Sequence, residues 1–206
     1  MKNRSLIALS AVALAVVSAT ARTVYTPAAA TALSGTNPST DAAGGVWGFY
    51  KTSGEMSPRM ALAGGYTRSS GLKGFSSGGG APYIAANNTA APMADKTATN
   101  NESTTDPRAI QPGELLFNVL EDFNTGRAVL RFTPPRPGLY HVNACFRTVN
   151  YGKGDVGVRV QRRGTAPLFD ATLKRMENES KIHAASYVTD ILLVDGDSLV
   201  YIFTNP

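Results

Sequence analysis

The chain has one cysteine, Cys145, and only two histidines, His141 and His183. A single cysteine excludes an internal disulfide, so Cys145 is expected to be a small buried side chain unless it bridges two copies. His141 and Cys145 fall on the same strand face four residues apart, which separates them by roughly 13 Å and excludes a Cys–His pair. A pair of Cys145 with His183 stays geometrically open, but nothing else in the sequence supports it.

The sequence motifs of common enzymes are also missing. No G-x-S-x-G elbow or H-E-x-x-H helix occurs, and the glycine-rich "SSGGGAP" lacks the G-K-[ST] that grips phosphates. We therefore predict a protein that is not an enzyme and has neither catalytic residues nor a cofactor.

The excess of positive charge is small. The net charge is +5, and without Lys2 and Arg4 the remaining 18 basic residues (20 − 2) against 15 acidic residues leave +3. A value this mild predicts no nucleic-acid partner, because such binding needs a strong basic surface.

The N-terminal residues have the layout of an export signal. Two basic residues precede the apolar run "LIALSAVALAVV", and the small-residue segment "ATA" ends at Ala21. An apolar run of about 12 residues is short against the ~20 that span a bilayer. We predict a signal peptide over residues 1–21, cleaved after Ala21, and a secreted or cell-surface protein with no stable membrane span afterwards.

Residues 22–108 are rich in Ala, Gly, Ser, Thr and Asn, and we predict a flexible region because so little of it can be buried. Two apolar islands interrupt it, "GGVWGFYKT" at 44–52 and "GAPYIAA" at 80–86. The islands are either exposed patches on a flexible chain or short strands that dock on the folded half or on a neighbouring subunit.

Residues 109–206 consist of short β-patterned segments separated by turn residues, which predicts an all-β sandwich. The predicted strands cover residues 114–123, 128–133, 138–148, 155–161, 167–174, 182–194 and 198–204. In the third strand, Tyr140, Val142, Ala144 and Phe146 share one face. Asp195–Asp197, "DGD", is predicted to be a hairpin turn, and "RRG" at 162–164 is another turn.

Three prolines lie in the stretch "FTPPRPGLY" (132–140), between two predicted strands. Proline donates no ladder hydrogen bond, so we expect a corner at which the chain leaves one sheet for the other. Gly138 is expected to permit the close approach that restarts the chain. The spacing of Pro134 and Pro137 also fits a polyproline ligand, but the strands on both sides make a corner the better interpretation.

The same region resembles the globular head domain of complement component one q, within the tumour necrosis factor-like jelly-roll superfamily. The residues that carry the resemblance are Gly126, Phe132, Pro134, Pro137, Gly138, Tyr140, Gly196 and Asp197. The resemblance covers about residues 114–206, and the family's first and last strands are not evident. It implies a jelly-roll β-sandwich at 109–206, preceded by a signal peptide and a largely irregular N-terminal half. We hypothesise that "GVWGFY" or "APYIA" fills one of the missing strand positions, in the same chain or from a neighbour.

The resemblance further implies a compact homotrimer in which an aromatic-rich face packs around the threefold axis and outer loops bind a protein or glycan ligand. The candidate loop residues are Asn150, Tyr151, Lys153, Asp155, Arg162, Arg163, Lys174, Arg175, Glu177 and Asn178.

Two other kinds of site are weaker. Some relatives of the complement head bind calcium, but Asp155, Asp195 and Asp197 are few ligands for an ion that takes six to eight oxygens, so no metal is predicted. N-x-[ST] sequons at Asn87, Asn101 and Asn178 are glycosylation acceptors only in a host with that machinery.

From these observations we predict an exported, non-enzymatic recognition or adhesion protein, a homotrimer of jelly-roll heads that binds through surface loops. The alternative is a structural subunit of a virion, a surface layer or an extracellular filament, whose N-terminal arm contacts neighbouring subunits.

Overall fold

A computed structural model describes residues 4–18, 21–27, 46–52, 60–61, 63–68, 70–76, 83–95, 103–120, 127–149, 154–176 and 181–204. These residues form antiparallel β-sheets without a helix, so the prediction of an all-β fold is confirmed. Among the same residues there is no apolar helix long enough to cross a membrane.

The strands, in chain order, are β1 (Arg4–Ser18), β2 (Ala21–Tyr25), β3 (Trp47–Thr52), β4 (Met60–Ala61), β5 (Ala63–Thr67), β6 (Lys73–Ser76), β7 (Tyr83–Ala86), β8 (Leu115–Leu120), β9 (Arg127–Phe132), β10 (Gly138–Thr148), β11 (Val156–Arg162), β12 (Pro167–Leu173), β13 (Ala184–Leu193) and β14 (Leu199–Thr204). Sheet A has the order β13-β10-β1-β8-β7-β6-β5, with β2 paired to β1, and sheet B has the order β12-β11-β14-β9-β3-β4. Three antiparallel pairs are nested along the chain: β9 with β14, β10 with β13, and β11 with β12.

The core lies between the two sheets and is rich in aromatic rings. Because side chains alternate along a strand, each central strand sends every second residue into it. Phe117 of sheet A stacks on Phe203 of sheet B with ring centroids 3.9 Å apart. Tyr140, Val142, Ala144 and Phe146 are all fully buried, which confirms the predicted inner face of β10. Burial of each large apolar side chain stabilises the fold by about 1.5–3 kcal/mol.

The proline-rich stretch is a corner, as the sequence predicts. It joins β9 in sheet B to β10 in sheet A, and the Tyr140 hydroxyl donates a hydrogen bond to the Arg136 carbonyl at 2.6 Å. The expected role of Gly138 is wrong. A Cβ added there would meet its nearest neighbour, a ring carbon of Tyr140, at 3.8 Å, which is an ordinary van der Waals distance.

The turn at Asp195–Asp197 forms, but the predicted hairpin does not. Gly196 has a φ of +82°, and the Asp197 N–H donates to the Val194 carbonyl at 3.0 Å. The strands on either side belong to different sheets, because β13 pairs with β10 whereas β14 pairs with β9 and β11. The turn is therefore a second corner. The "RRG" turn, in contrast, joins the paired strands β11 and β12.

The N-terminal half contributes strands to both sheets. The island at 44–52 contains β3, which pairs with β9, and the island at 80–86 contains β7, which pairs with β8. A largely irregular N-terminal half is therefore wrong for the part of residues 22–108 that the structure describes. Of the two alternatives for the islands, docking on the folded half of the same chain is the one observed.

The segment predicted to be an export signal forms β1, a central strand of sheet A. It pairs antiparallel with β8 from Arg4↔Leu120 to Leu9↔Leu115, and with β10 from Ile7↔Thr148 to Val16↔Tyr140. β1 thus takes a position for which the described part of the C-terminal half supplies no strand. Cleavage after Ala21 stays a prediction.

Candidate interaction surface

The predicted loop residues that the structure describes lie at two opposite ends of the sandwich. Val156, at the start of β11, pairs with Leu173, whereas Arg162, at its end, pairs with Leu199. At about 3.3 Å per residue, these two ends are roughly 20 Å apart. The "loop end" therefore carries Asp155 and its neighbours on the β12–β13 connection. The "corner end" carries the turn after Arg162 and both corners.

At the loop end, Asp155 ties two connections together. Its carboxylate accepts a hydrogen bond from Lys174 Nζ at 2.9 Å and another from the Arg175 backbone N–H at 2.9 Å. The hydrogen bond from Lys174, followed by that from the Arg175 N–H, holds the pKa of Asp155 below its usual value. The Lys174 and Arg175 side chains are exposed, so this end presents positive charge to solvent.

At the corner end, the Arg162 side chain connects β11 of sheet B to the end of β13 and to the turn that follows β13. Its Nη2 donates to the Leu192 carbonyl, and its Nε lies 3.6 Å from Asp197 Oδ2. That same carboxylate oxygen accepts the Val194 N–H at 2.9 Å. The backbone N–H of Arg163 donates to the Ser198 carbonyl at 2.9 Å, and its side chain is exposed. These contacts hold the two sheets together at the corner.

The weak calcium candidates are not brought together, since Asp155 lies at the loop end and Asp195 and Asp197 lie at the corner end. Within the described ranges, no three His, Cys, Asp or Glu side chains are grouped to hold a metal ion. The predicted residues that fall outside the described ranges are Asn150, Tyr151, Lys153, Glu177, Asn178 and Gly126.

Sequence reasoning missed an exposed apolar stripe on the outer face of sheet A. Leu139, Val188 and Leu192 are 49%, 58% and 57% exposed, and we call them the outer stripe. Leu139 of β10 lies directly opposite Leu192 of β13. The signal was present in the sequence, because residues 182–194 carry apolar residues on both faces of a strand that needs only one for the core.

A hydrogen-bonded polar pair lies within the outer stripe. His141 Nδ1 and Asp190 Oδ1 are 2.8 Å apart, and the two residues are direct cross-strand partners. Both side chains are largely exposed, with 40% and 61% of their surface accessible. A polar pair flanked by apolar side chains is the composition expected of a surface that contacts another protein.

Aromatic side chains lie at the side of the sandwich where β12 and β13 are the outermost described strands of the two sheets. The Phe169 ring packs 5.3 Å from Tyr187 and 5.8 Å from Phe146, measured between centroids. Phe169 and Tyr187 are only partly buried, and we call them the open edge. Desolvation raises the pKa of the Tyr187 hydroxyl. The open edge and the outer stripe share β13.

Behind sheet A, a buried polar network joins the segment that follows β7 to the segment that precedes β8. Asn87 is fully buried, and its amide donates to the carbonyls of Ala91 at 2.8 Å and Ile110 at 2.7 Å. Its Oδ1 accepts the N–H and the hydroxyl of Thr89 at 3.0 and 2.7 Å. An amide with these partners is not accessible as a glycosylation acceptor in the folded chain. Asn87 therefore has a structural role at this sequon. Asn101 and Asn178 lie outside the described residues.

The histidine and cysteine side chains do not converge in the part of the chain that the structure describes. Cys145 lies opposite Ser186 and His141 lies opposite Asp190. The four-residue offset keeps them roughly 13 Å apart along β10. The backbone of His183 pairs with Thr148, which places it about three residues along the strand from the partner of Cys145.

No known protein family matches this chain, and neither a curated protein nor a solved structure matches it. The resemblance to the complement head therefore depends on the residues that carry it in the sequence.

Proposed function

We propose that this chain is an exported, non-enzymatic recognition or adhesion protein. Its sandwich is a jelly roll of the complement-head type that assembles as a homotrimer and binds a protein or glycan through surface loops. The observation that carries the proposal is the outer stripe next to the open edge.

The strand pairing supports the jelly roll. The nested pairs β9–β14, β10–β13 and β11–β12 are those of a long hairpin rolled over on itself, with successive strands divided between two sheets. The fourth nested pair would place a partner beside β8 and next to β10. In this chain β1 lies there.

The surface supports a closed oligomer. Exposed apolar side chains that cluster on one face mark interaction sites rather than ordinary solvated surface. A threefold ring needs two different patches, because each copy contacts its neighbours heterologously. The outer stripe and the open edge lie on adjacent sides of β13, so the open edge of one copy can pack against the outer stripe of the next.

Such a trimer would present three copies of the loop end. Lys174 and Arg175 project there into solvent, beside the connection that Asp155 holds in place. Three weak contacts on one rigid assembly bind far more tightly than one, which suits a recognition protein with a repetitive ligand.

The structural-subunit alternative has one observation in its favour. β13 is a ten-residue edge strand with one unpaired side among the described strands. A free edge of this length can pair with a neighbouring sheet, and a contact that does not close into a ring propagates into a filament or lattice.

Light scattering with size exclusion on the exported protein and two lysine variants tests the proposal. Leu192→Lys places a charge on the outer stripe, and Leu168→Lys changes an exposed leucine on the other sheet. We expect a trimer for the wild type and for Leu168→Lys, and a monomer for Leu192→Lys. A wild-type monomer at all concentrations contradicts the proposal, and growth into large particles favours the alternative.

A further inference from the structure

Cleavage of the predicted signal peptide would leave the position of β1 in sheet A without a strand. β1 is the only described strand between β8 and β10, and it pairs with both of them. Cleavage after Ala21 would remove it completely. The backbone N–H and C=O groups of β8 and β10 that face β1 would then lose their ladder partners, which is costly for edges inside a sheet.

The two strands cannot close the gap by sliding together. Direct pairing of β8 with β10 requires one of them to move by one strand spacing, about 4.8 Å. Phe117 of β8 stacks on Phe203 at 3.9 Å, and Phe146 of β10 packs on the same ring at 6.0 Å. A shift of that size would pull one of these rings off its partner and open the core.

Each wall of the gap is also held from its other side. β8 is hydrogen-bonded to β7, and β10 is hydrogen-bonded to β13 over the full length from Gly138↔Leu193 to Arg147↔Ala184. The Arg147 side chain also binds the backbone carbonyls of Pro107 and Ala109 at 2.7 Å each, which fixes it to the segment before β8. These contacts keep the walls in place when the strand between them is absent.

We propose that the space between β8 and β10 is a strand-acceptor slot, which in the processed chain takes an extended apolar strand from a partner protein. The proposal rests on the export in the proposed function and on the predicted cleavage after Ala21. The walls are main-chain edges, so an occupant is recognised through its backbone in the manner of β-strand addition.

The segment that occupies the slot in this structure defines the chemistry of the partner. "LIALSAVALAVV" is uncharged, has no proline and consists of small and branched apolar residues. It runs antiparallel to both walls, from the loop end at Arg4 to the corner end at Val16. The partner strand is therefore an uncharged, proline-free segment of about 13 residues, long enough to cover the two ladders from Arg4 to Val16.

The test uses the full chain, produced without export so that β1 is retained. A specific protease site replaces residues 19–20, between β1 and β2, and the folded protein is cut there. A fluorescent peptide of residues 4–18 is then added, alongside the same peptide with Ala8→Pro. Ala8 pairs with Arg147 on one side and Leu116 on the other, so proline there removes a ladder donor in the middle of the slot.

We expect the cut fragment to stay bound and to exchange with one labelled peptide per chain, and the proline peptide to bind at least tenfold more weakly. The proposal is overturned if the fragment leaves, the remaining chain keeps its melting midpoint and no peptide binds. Equal binding of the two peptides also overturns it, because that is nonspecific apolar adhesion. Chains that have lost the fragment can also self-associate. This self-association supports the slot, with a second copy of the chain as its occupant, only if the added peptide suppresses the self-association.

The N-terminus of the exported protein, determined by intact mass, separates the two proposals. A chain that begins at Arg22 with a failed exchange contradicts the slot and leaves the proposed function standing. A chain that retains Met1 contradicts processing, and with it the partner strand, whatever the peptide does.

Discussion

Arg147 and Glu114 form a buried ion pair that spans the width of a strand. Arg147 Nε and Nη2 donate to the two carboxylate oxygens of Glu114 at 3.0 and 2.5 Å. Ala8 of β1 lies beside Arg147 on one side and beside Leu116 on the other, so the pair joins β10 to the start of β8 across β1.

Removal of one member of this pair should destabilise the fold strongly. Arg147→Met leaves the Glu114 carboxylate buried without its cation, and breaking a buried pair in this way costs about 3–5 kcal/mol. Urea unfolding measures the change. The matched control is Arg159→Met, whose partner Asp170 is exposed on sheet B, and which should cost about 1 kcal/mol or less. Equal effects of the two substitutions would mean that the buried pair contributes no more than a surface pair.

Substitution by alanine should destabilise the protein strongly at one glycine and hardly at all at another. A Cβ on Gly74 would lie 1.9 Å from the Ile84 carbonyl oxygen, whereas one on Gly138 meets nothing closer than 3.8 Å. Gly74→Ala forces β6 and β7 apart and should lower the free energy of unfolding by about 3 kcal/mol or more. Gly138→Ala should change it by no more than about 0.5 kcal/mol. Chemical denaturation of both variants is the measurement, and a large loss in Gly138→Ala would contradict the described corner.

The loop end should lose stability in acid. Lys174 and the Arg175 N–H lower the pKa of Asp155, so the folded state favours the charged carboxylate more than the unfolded state does. The stabilisation is complete above the ordinary aspartate pKa of about 3.9 and is lost as the pH falls through the lower folded pKa. It amounts to about 0.2–1 kcal/mol, because the pair is partly solvated.

An NMR titration of the Asp155 carboxyl in the wild type and in Lys174→Met checks this prediction. In the variant, the pKa should move back towards its ordinary value. An unchanged pKa would mean that Lys174 is not the main cause of the shift.

Asn87 should remain unmodified even in a glycosylating host. Its amide donates two hydrogen bonds to backbone carbonyls and is fully buried, so a sugar cannot be accommodated once the chain has folded. Glycopeptide mapping of the protein expressed in such a host gives the occupancy. Asn87→Ala should destabilise the protein by about 1–3 kcal/mol, because it removes the hydrogen bonds that the buried Asn87 side chain makes with Ala91, Ile110 and Thr89. A fully glycosylated Asn87 in a folded, soluble protein would contradict the described surroundings of residues 87–110.

Local patterns predicted the strands of the second half well. The strict alternation in β10 and β11 leaves one choice of inner face, and the prolines at 134–137 exclude a continuing ladder. Both features therefore follow from residues that are close together in the sequence. Gly196 shows the limit of such reasoning. Its positive φ was foreseeable from "DGD", but whether the next strand returns to the same sheet depends on pairings far away in the chain.

The composition of the N-terminal half did not predict the strands that form there. β7 is only four residues long, and it is a strand because β8 lies on one side and the segment held by Asn87 covers its outer face. β1 has the small, apolar residues of an export signal and equally those of a central strand buried on both faces, and composition does not separate the two. The outer stripe was not predicted, although residues 182–194 are apolar on both faces of the strand, because the assembly of the two sheets decides which of these side chains stay exposed.

The central claim, an assembly through the outer stripe, is tested most directly by the reactivity of cysteines placed on the two outer faces. In a Cys145→Ser background, Val188→Cys lies on the stripe and Leu168→Cys lies on sheet B, and both positions are exposed in a single chain. The rate of alkylation in the native protein is compared with the rate in denaturant. The account predicts at least tenfold protection at position 188 and little at position 168. Equal, rapid alkylation at both positions would contradict it.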